Sequence, residues 1–176
     1  MGKSEEVKKA PADKKEKREL LEFTLGENRY GVDIGVVSEI RQYQVPTRVP
    51  NVQPYVEGVF ISRQIPITVI VLSIILETEF QISEKKDVLI VTNHHDKQMA
   101  FHVQEVNGIR NVSSEDIMPF DEMMGKANQN VAVGIVKLDN RNIIVLDLEG
   151  LMAASCASAD YCGSEVNARS IGDESL

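Results

Sequence analysis

The strongest constraint on this chain's fold is an internal repeat. Gly58-Val59-Phe60 superposes on Gly134-Ile135-Val136 at an offset of 76. Without a gap, Ile67 then falls on Ile143, Val69 on Val145, Ile70 on Leu146, Leu72 on Leu148, Ile75 on Leu151 and Leu76 on Met152. Earlier segments match at an offset of 69: Val32 on Phe101, Ile34 on Val103, Val37 on Val106 and Ile40 on Ile109. Each unit reads hairpin, connector, hairpin, helix, in about 65–70 residues, the size of one small barrel. The expected fold class is mostly β: two five-stranded SH3-like or OB-like barrels side by side, with short helices.

Local signals agree. Leu20 to Leu25 and Arg29 to Val32 flank Gly26-Glu27-Asn28, a hairpin signature. Asp87–Thr92 and Met99–Val103 flank a polar turn over Asn93–Lys97, and Val131–Leu138 and Asn142–Leu146 flank Asp139-Asn140-Arg141. Two helices are predicted. One spans about Asp33 to Arg41, capped by Asp33, with Ile34, Val37 and Ile40 on one face. The other follows Asp147, carrying Leu148, Leu151 and Met152. The most apolar stretch, Ile65 to Leu76, is twelve residues and reads as a strand pair or strand plus helix. A membrane-spanning helix needs about 20, so no membrane insertion is expected.

Residues 1–19 carry seven basic and five acidic residues and almost nothing apolar, and residues from about 154 are small and polar. The expected organisation is a disordered charged tail over 1–19, a folded body over 20–153 and a flexible tail over 154–176. The net charge is −8, so once the tail's +2 is set aside the rest carries −10. That sign disfavours nucleic acid and anionic lipid as partners. With no signal peptide, the cytoplasm is the expected compartment.

No catalytic or cofactor motif survives inspection. Gly125-Lys126 has Phe120 where a phosphate-binding loop needs glycine, and Ala127 where it needs Ser or Thr. His94 and His95 fall in a turn, His102 on a strand, and Cys156 and Cys162 in the C-terminal tail. That spacing does not make a four-ligand zinc site. Asp139 is explained by a turn and Asp147 by a helix cap. The expectation is therefore no cofactor, no metal and no enzyme. A metal- or thiol-dependent enzyme would rest on these histidines and cysteines alone.

Phe23-Thr24-Leu25-Gly26-Glu27-Asn28-Arg29-Tyr30-Gly31-Val32-Asp33-Ile34, with Val37-Ser38-Glu39-Ile40 after it, resembles the opening of the CheW family of bacterial chemotaxis coupling proteins. Thr47-Arg48-Val49-Pro50-Asn51, Tyr55-Val56-Glu57-Gly58-Val59, Val112-Ser113-Ser114-Glu115-Asp116-Ile117 and Gly134 to Glu149 are similar to later blocks. The resemblance covers about 20–153. It implies a non-catalytic scaffold that holds the histidine kinase CheA against the cytoplasmic tips of chemoreceptors, with a groove for the receptor's helical hairpin. A CheV-type protein, a CheW-like module followed by a receiver domain, is the alternative.

By this resemblance Val36, Val37, Glu39 and Arg63 are receptor-binding candidates, with Glu39 and Arg63 expected near one another. Glu57, Gln64, Ile65 and Pro66 are kinase-binding candidates. The departure from the family lies in 61–76. There the usual Asn-Leu-Arg-Gly is Ile61-Ser62-Arg63-Gln64, and the aspartate that would cap the next helix is Val71. Gln64 is expected to carry strain if its backbone keeps positive φ, and the helix is expected to lack its side-chain cap.

Overall fold

The computed structural model describes residues 16–79, 81–83, 86–94, 96–120 and 131–152. Most of both tails, His95, Gly125-Lys126, Cys156 and Cys162 lie outside the described residues. Eleven strands are described: β1 (Lys17–Leu25), β2 (Asn28–Asp33), β3 (Val37–Gln42), β4 (Val56–Ser62), β5 (Ile65–Val71), β6 (Val88–His94), β7 (Lys97–Val103), β8 (Glu105–Ser113), β9 (Met118–Pro119), β10 (Ala132–Leu138) and β11 (Arg141–Leu146). A short helix α1 (Leu72–Ile75) follows β5, and residues 148–152 form its counterpart after β11. β1 opens at Lys17, so its first three residues fall inside the segment expected to be tail.

The strands form a six-stranded sheet, β8-β1-β2-β11-β10-β9, and a five-stranded sheet, β3-β6-β7-β5-β4. The repeat relates them strand for strand. β11 runs parallel to β2 with Ile144 opposite Tyr30, and β5 runs parallel to β7 with Thr68 opposite Met99. Those registers differ by the 76 and 69 residues read from the sequence. The expectation that each repeat makes its own barrel is corrected: the units exchange hairpins. The first sheet takes β1 and β2 from the first unit and β8 to β11 from the second, while β6 and β7 complete the second sheet.

Each sheet curls so that its edge strands approach. Past β3, Thr47 makes two 2.9 Å backbone hydrogen bonds with Val59 of β4, the opposite edge. Past β8, a 3-10 turn at Ser114–Asp116 delivers the chain to β9, which pairs with β10. Glycine is required at both crossings. A Cβ on Gly134 would stand 2.6 Å from the Met118 carbonyl oxygen, and one on its repeat partner Gly58 closer still to that of Thr47. Both glycines sit beside β-bulges, where a strand bends.

Alternation along β1 sorts its side chains between two cores. Leu21, Phe23 and Leu25 join Ile90 and Phe101 from the second sheet and Leu148, Leu151 and Met152 in the seam between the sheets. Leu20 faces the first sheet's interior with Val112, Val136, Ile143 and Val145. The second interior holds Tyr43, Ile67, Val69, Leu89 and Val91. Each fully buried aliphatic side chain contributes about 1.5–3 kcal/mol.

The helix predicted over Asp33–Arg41 is not formed. Asp33 Oδ1 does accept from Gly35 N at 2.8 Å, but the turn it caps is a three-residue 3-10 turn, Ile34–Val36. Val37–Gln42 then pairs with β6, whose backbone groups on that side would otherwise lack partners. β-Branched Val36, Val37 and Ile40 favour the extended form. The Asp147 cap is present: its Oδ1 accepts from Gly150 N at 3.0 Å. Val71, at the equivalent point before α1, makes no side-chain cap bond. The polar turn expected over Asn93–Lys97 is shorter, since β6 reaches His94 and β7 begins at Lys97.

Candidate functional site

Two surface features gather the candidate residues. The first is a groove of about 520 Å³ at one end of the first sheet. Leu20, Val36, Val133, Val145 and Leu148 give it an apolar floor, and Arg18, Asp33, Asp147 and Glu149 add charge at its walls. Val36 reaches it because the 3-10 turn ends there. Val37, the first residue of β3, is half-buried and packs on the seam core instead.

The second feature is the β4–β5 hairpin. Arg63 and Gln64 form its two-residue turn with φ of 49° and 68°. Their repeat partners Asp139 and Asn140 adopt the same signs, 47° and 60°. Asn tolerates this left-handed region, and Gln does so at a cost of about 1 kcal/mol. The strain expected at Gln64 is therefore present. Arg63, Gln64, Ile65 and Pro66 are all exposed, and Ile61 opposite Pro66 is 75% exposed. The repeat partners of Ile61 and Pro66 are Lys137 and Asn142, so the apolar surface belongs to this hairpin alone.

Glu39 does not pair with Arg63. Its carboxylate meets Arg41 at 3.1 Å, and Arg41 in turn donates to Ser62 Oγ at 2.9 Å and lies over the Phe60 ring. Glu39 and the Arg63 turn are thus joined through Arg41. Reading 33–41 as a helix hid this residue: on a strand, positions 39 and 41 share a face.

Glu57 points inward rather than to a docking edge. Its side chain is 16% exposed and is hydrogen-bonded by Tyr43 and His102. Burial pushes its carboxyl up, but bonds from His102 and Tyr43 and the charges of His102 and Arg48 outweigh this and hold it below the ordinary value. Among the described residues no three His, Cys, Asp or Glu side chains are placed to hold a metal. No described helix is long and apolar enough to cross a membrane.

A second buried acid, Glu22 on β1, is 2% exposed and lies between Arg29 and Arg110, each at 2.6 Å. Burial pushes this carboxyl up as well, and the two arginines more than reverse the effect. Nothing in the sequence marks it, because its repeat partner is Val91.

Comparison with known proteins places this architecture. The chain is 29% identical over 137 residues to the chemotaxis protein CheW of Klebsiella aerogenes, covering 78% of this chain and 82% of that protein. It is 28% identical to CheW of Bacillus subtilis, covering 80% and 90%. The scaffolding protein TtCheW of Thermoanaerobacter tengcongensis shares the fold, with a TM-score of 0.68 at 23% identity over 74% of this chain and 88% of that one. The family model described as CheW-like domain matches residues 19–156, all of the two-sheet body but the first two residues of β1, and the chain belongs to that family.

Proposed function

We propose that this protein is a non-catalytic chemotaxis adaptor that couples chemoreceptors to the histidine kinase CheA. The observation that carries this reading is the family match over residues 19–156, nearly all of the two-sheet body. In this reading the groove beside Val36 takes the apolar face of the receptor's helical hairpin at its cytoplasmic tip. Arg63 supplies charge to the same partner, and Glu39, Arg41 and Ser62 link that turn to β3. Gln64, Ile65 and Pro66, exposed beside Ile61, meet the kinase regulatory domain. Glu57 then acts from inside, by holding β4, rather than by contact. The protein is recruited to receptor arrays at the inner face of the membrane by its partners.

Kinase activation in reconstituted arrays of cognate receptor and kinase tests the reading. Arg63→Glu should lower activation while changing stability by only about 0.5 kcal/mol, as expected of an exposed charge. Full activation by that variant removes Arg63 from the site. Failure of the wild-type chain to join receptor and kinase removes the adaptor reading itself.

A further inference from the structure

The two repeats finish the same barrel end in different ways. In the second sheet that end is filled from within. His102 on β7 lies 2.8 Å from Glu57 on β4 and 3.0 Å from Asp87, just before β6, and both His102 and Asp87 are fully buried. The repeat partners of His102, Asp87 and Glu57 are Asp33, Arg18 and Val133. These line the open groove of the first sheet, where Val133 is 43% exposed. The first sheet leaves apolar floor uncovered at the place where the second supplies its own plug.

The chain enters the fold at this mouth. Arg18 on β1 is a wall residue of the groove, and the Glu16 carbonyl accepts from Ser114 N and Ser114 Oγ, both at 3.0 Å. Residues 1–15 precede that anchor and lie outside the described residues. They also lie outside the family match, which begins at residue 19. Fully extended, residues 7–15 span about 30 Å. Six strands about 4.8 Å apart close a ring roughly 10 Å across. The segment is long enough to cross the mouth.

Its composition fits the walls. Among the described lining residues, the groove sets Asp33, Asp147 and Glu149 against one cation, Arg18. Asp33 and Glu149 are exposed. Asp33 and Asp147 each use Oδ1 on a backbone amide, of Gly35 and of Gly150, and a carboxylate can accept further bonds. The segment reads Val7-Lys8-Lys9-Ala10-Pro11-Ala12-Asp13-Lys14-Lys15, four lysines to one aspartate, with Ala10-Pro11-Ala12 between two basic pairs. A small apolar centre flanked by cations matches an apolar floor flanked by carboxylates. Pro11 keeps itself and Ala10 extended, which lowers the cost of ordering the segment.

We propose that residues 7–15 are a built-in occupant of the groove, an extended strap that lays Val7 and Ala10-Pro11-Ala12 over Val36 and Val133 and turns its lysine pairs toward Asp33, Asp147 and Glu149. The tether holds the strap at an effective concentration of about 1 mM, so a contact with a Kd of about 0.1 mM closes the groove about nine-tenths of the time. On the adaptor reading, on which this consequence alone rests, the receptor must displace the strap, and its apparent affinity is lowered about tenfold. The strap itself does not depend on that reading.

Methyl NMR of the isolated full chain tests the strap. Wild type should show nuclear Overhauser contacts from the Val7, Ala10 or Ala12 methyl groups to those of Val36 or Val133. Replacing all four lysines (Lys8→Glu, Lys9→Glu, Lys14→Glu and Lys15→Glu) should abolish those contacts and leave the signals of the two interiors in place. Their absence in wild type, their survival in the reversed chain, or their loss on dilution, as expected of contact between two copies, overturns the proposal. A cognate receptor-tip fragment should then bind the reversed chain about tenfold more tightly than wild type. If the wild-type contacts are present and that affinity does not change, the strap stands and the groove is removed from the receptor reading instead.

Discussion

Replacing Glu22 tests whether the buried charge cluster of the first sheet stabilises the fold or merely occupies space. Its two carboxylate oxygens accept from Arg29 and Arg110, both at 2.6 Å, with the acid itself 2% exposed. Breaking a buried ion pair by removing one partner costs about 3–5 kcal/mol. Here the arginine side chains are 28% and 39% exposed and can turn to water, which reduces the loss. Glu22→Gln keeps the volume, loses two charge-assisted bonds and regains one neutral bond, for a net cost of about 2 kcal/mol at pH 7.

The pH dependence of that cost follows from the lowered carboxyl. Its stabilisation is complete above the ordinary value of 4.5 and is lost as pH falls through the depressed folded value. Glu22→Gln should therefore flatten the acid limb of the stability curve, and the two proteins should converge at low pH. Glu22→Val copies the repeat partner Val91 but leaves both arginines in place with no acceptor at all, so it should cost at least as much as Gln, about 2–3 kcal/mol. Urea unfolding from pH 2.5 to 7 measures all three. If Glu22→Gln matched wild type at pH 7 and kept its acid slope, the two arginines would contribute nothing, and the reasoning would fail.

Two further outcomes follow from the backbone. Gly58→Ala and Gly134→Ala should each destabilise by about 2 kcal/mol or more, because a Cβ collides with the carbonyl of the chain segment that closes the sheet; thermal melting of either variant at wild-type temperature would refute the close approach. Gln64→Gly should stabilise by about 0.5 kcal/mol, as relief of about 1 kcal/mol of left-handed strain is partly offset by the added freedom of the unfolded chain; a lower midpoint in urea would show that Gln64 makes a compensating contact.

The repeat, the hairpin turns and the helix caps were legible in the sequence because each is a local matter. Gly26-Glu27 and Asp139-Asn140 turn where the chain says they should, and the cap at Asp147 and its absence at Val71 follow from the side chains alone. The offsets of 76 and 69 even carry the strand registers, since alternation forces corresponding residues to the same face.

Tertiary structure decided what depends on contacts distant in sequence. Ile34, Val37 and Ile40 satisfy a helical spacing, and only the unpaired side of β6 draws 37–42 into a sheet. With that choice Glu39 acquired Arg41 as its partner in place of Arg63. The exchange of hairpins between the two repeats leaves every local pattern unchanged, so no local pattern could report it. Glu22 with Arg110, and His102 with Glu57 and Asp87, are separated by 88, 45 and 15 residues. A charged residue on a strand reads as solvated until folding closes a barrel over it, and only then must its partners be present.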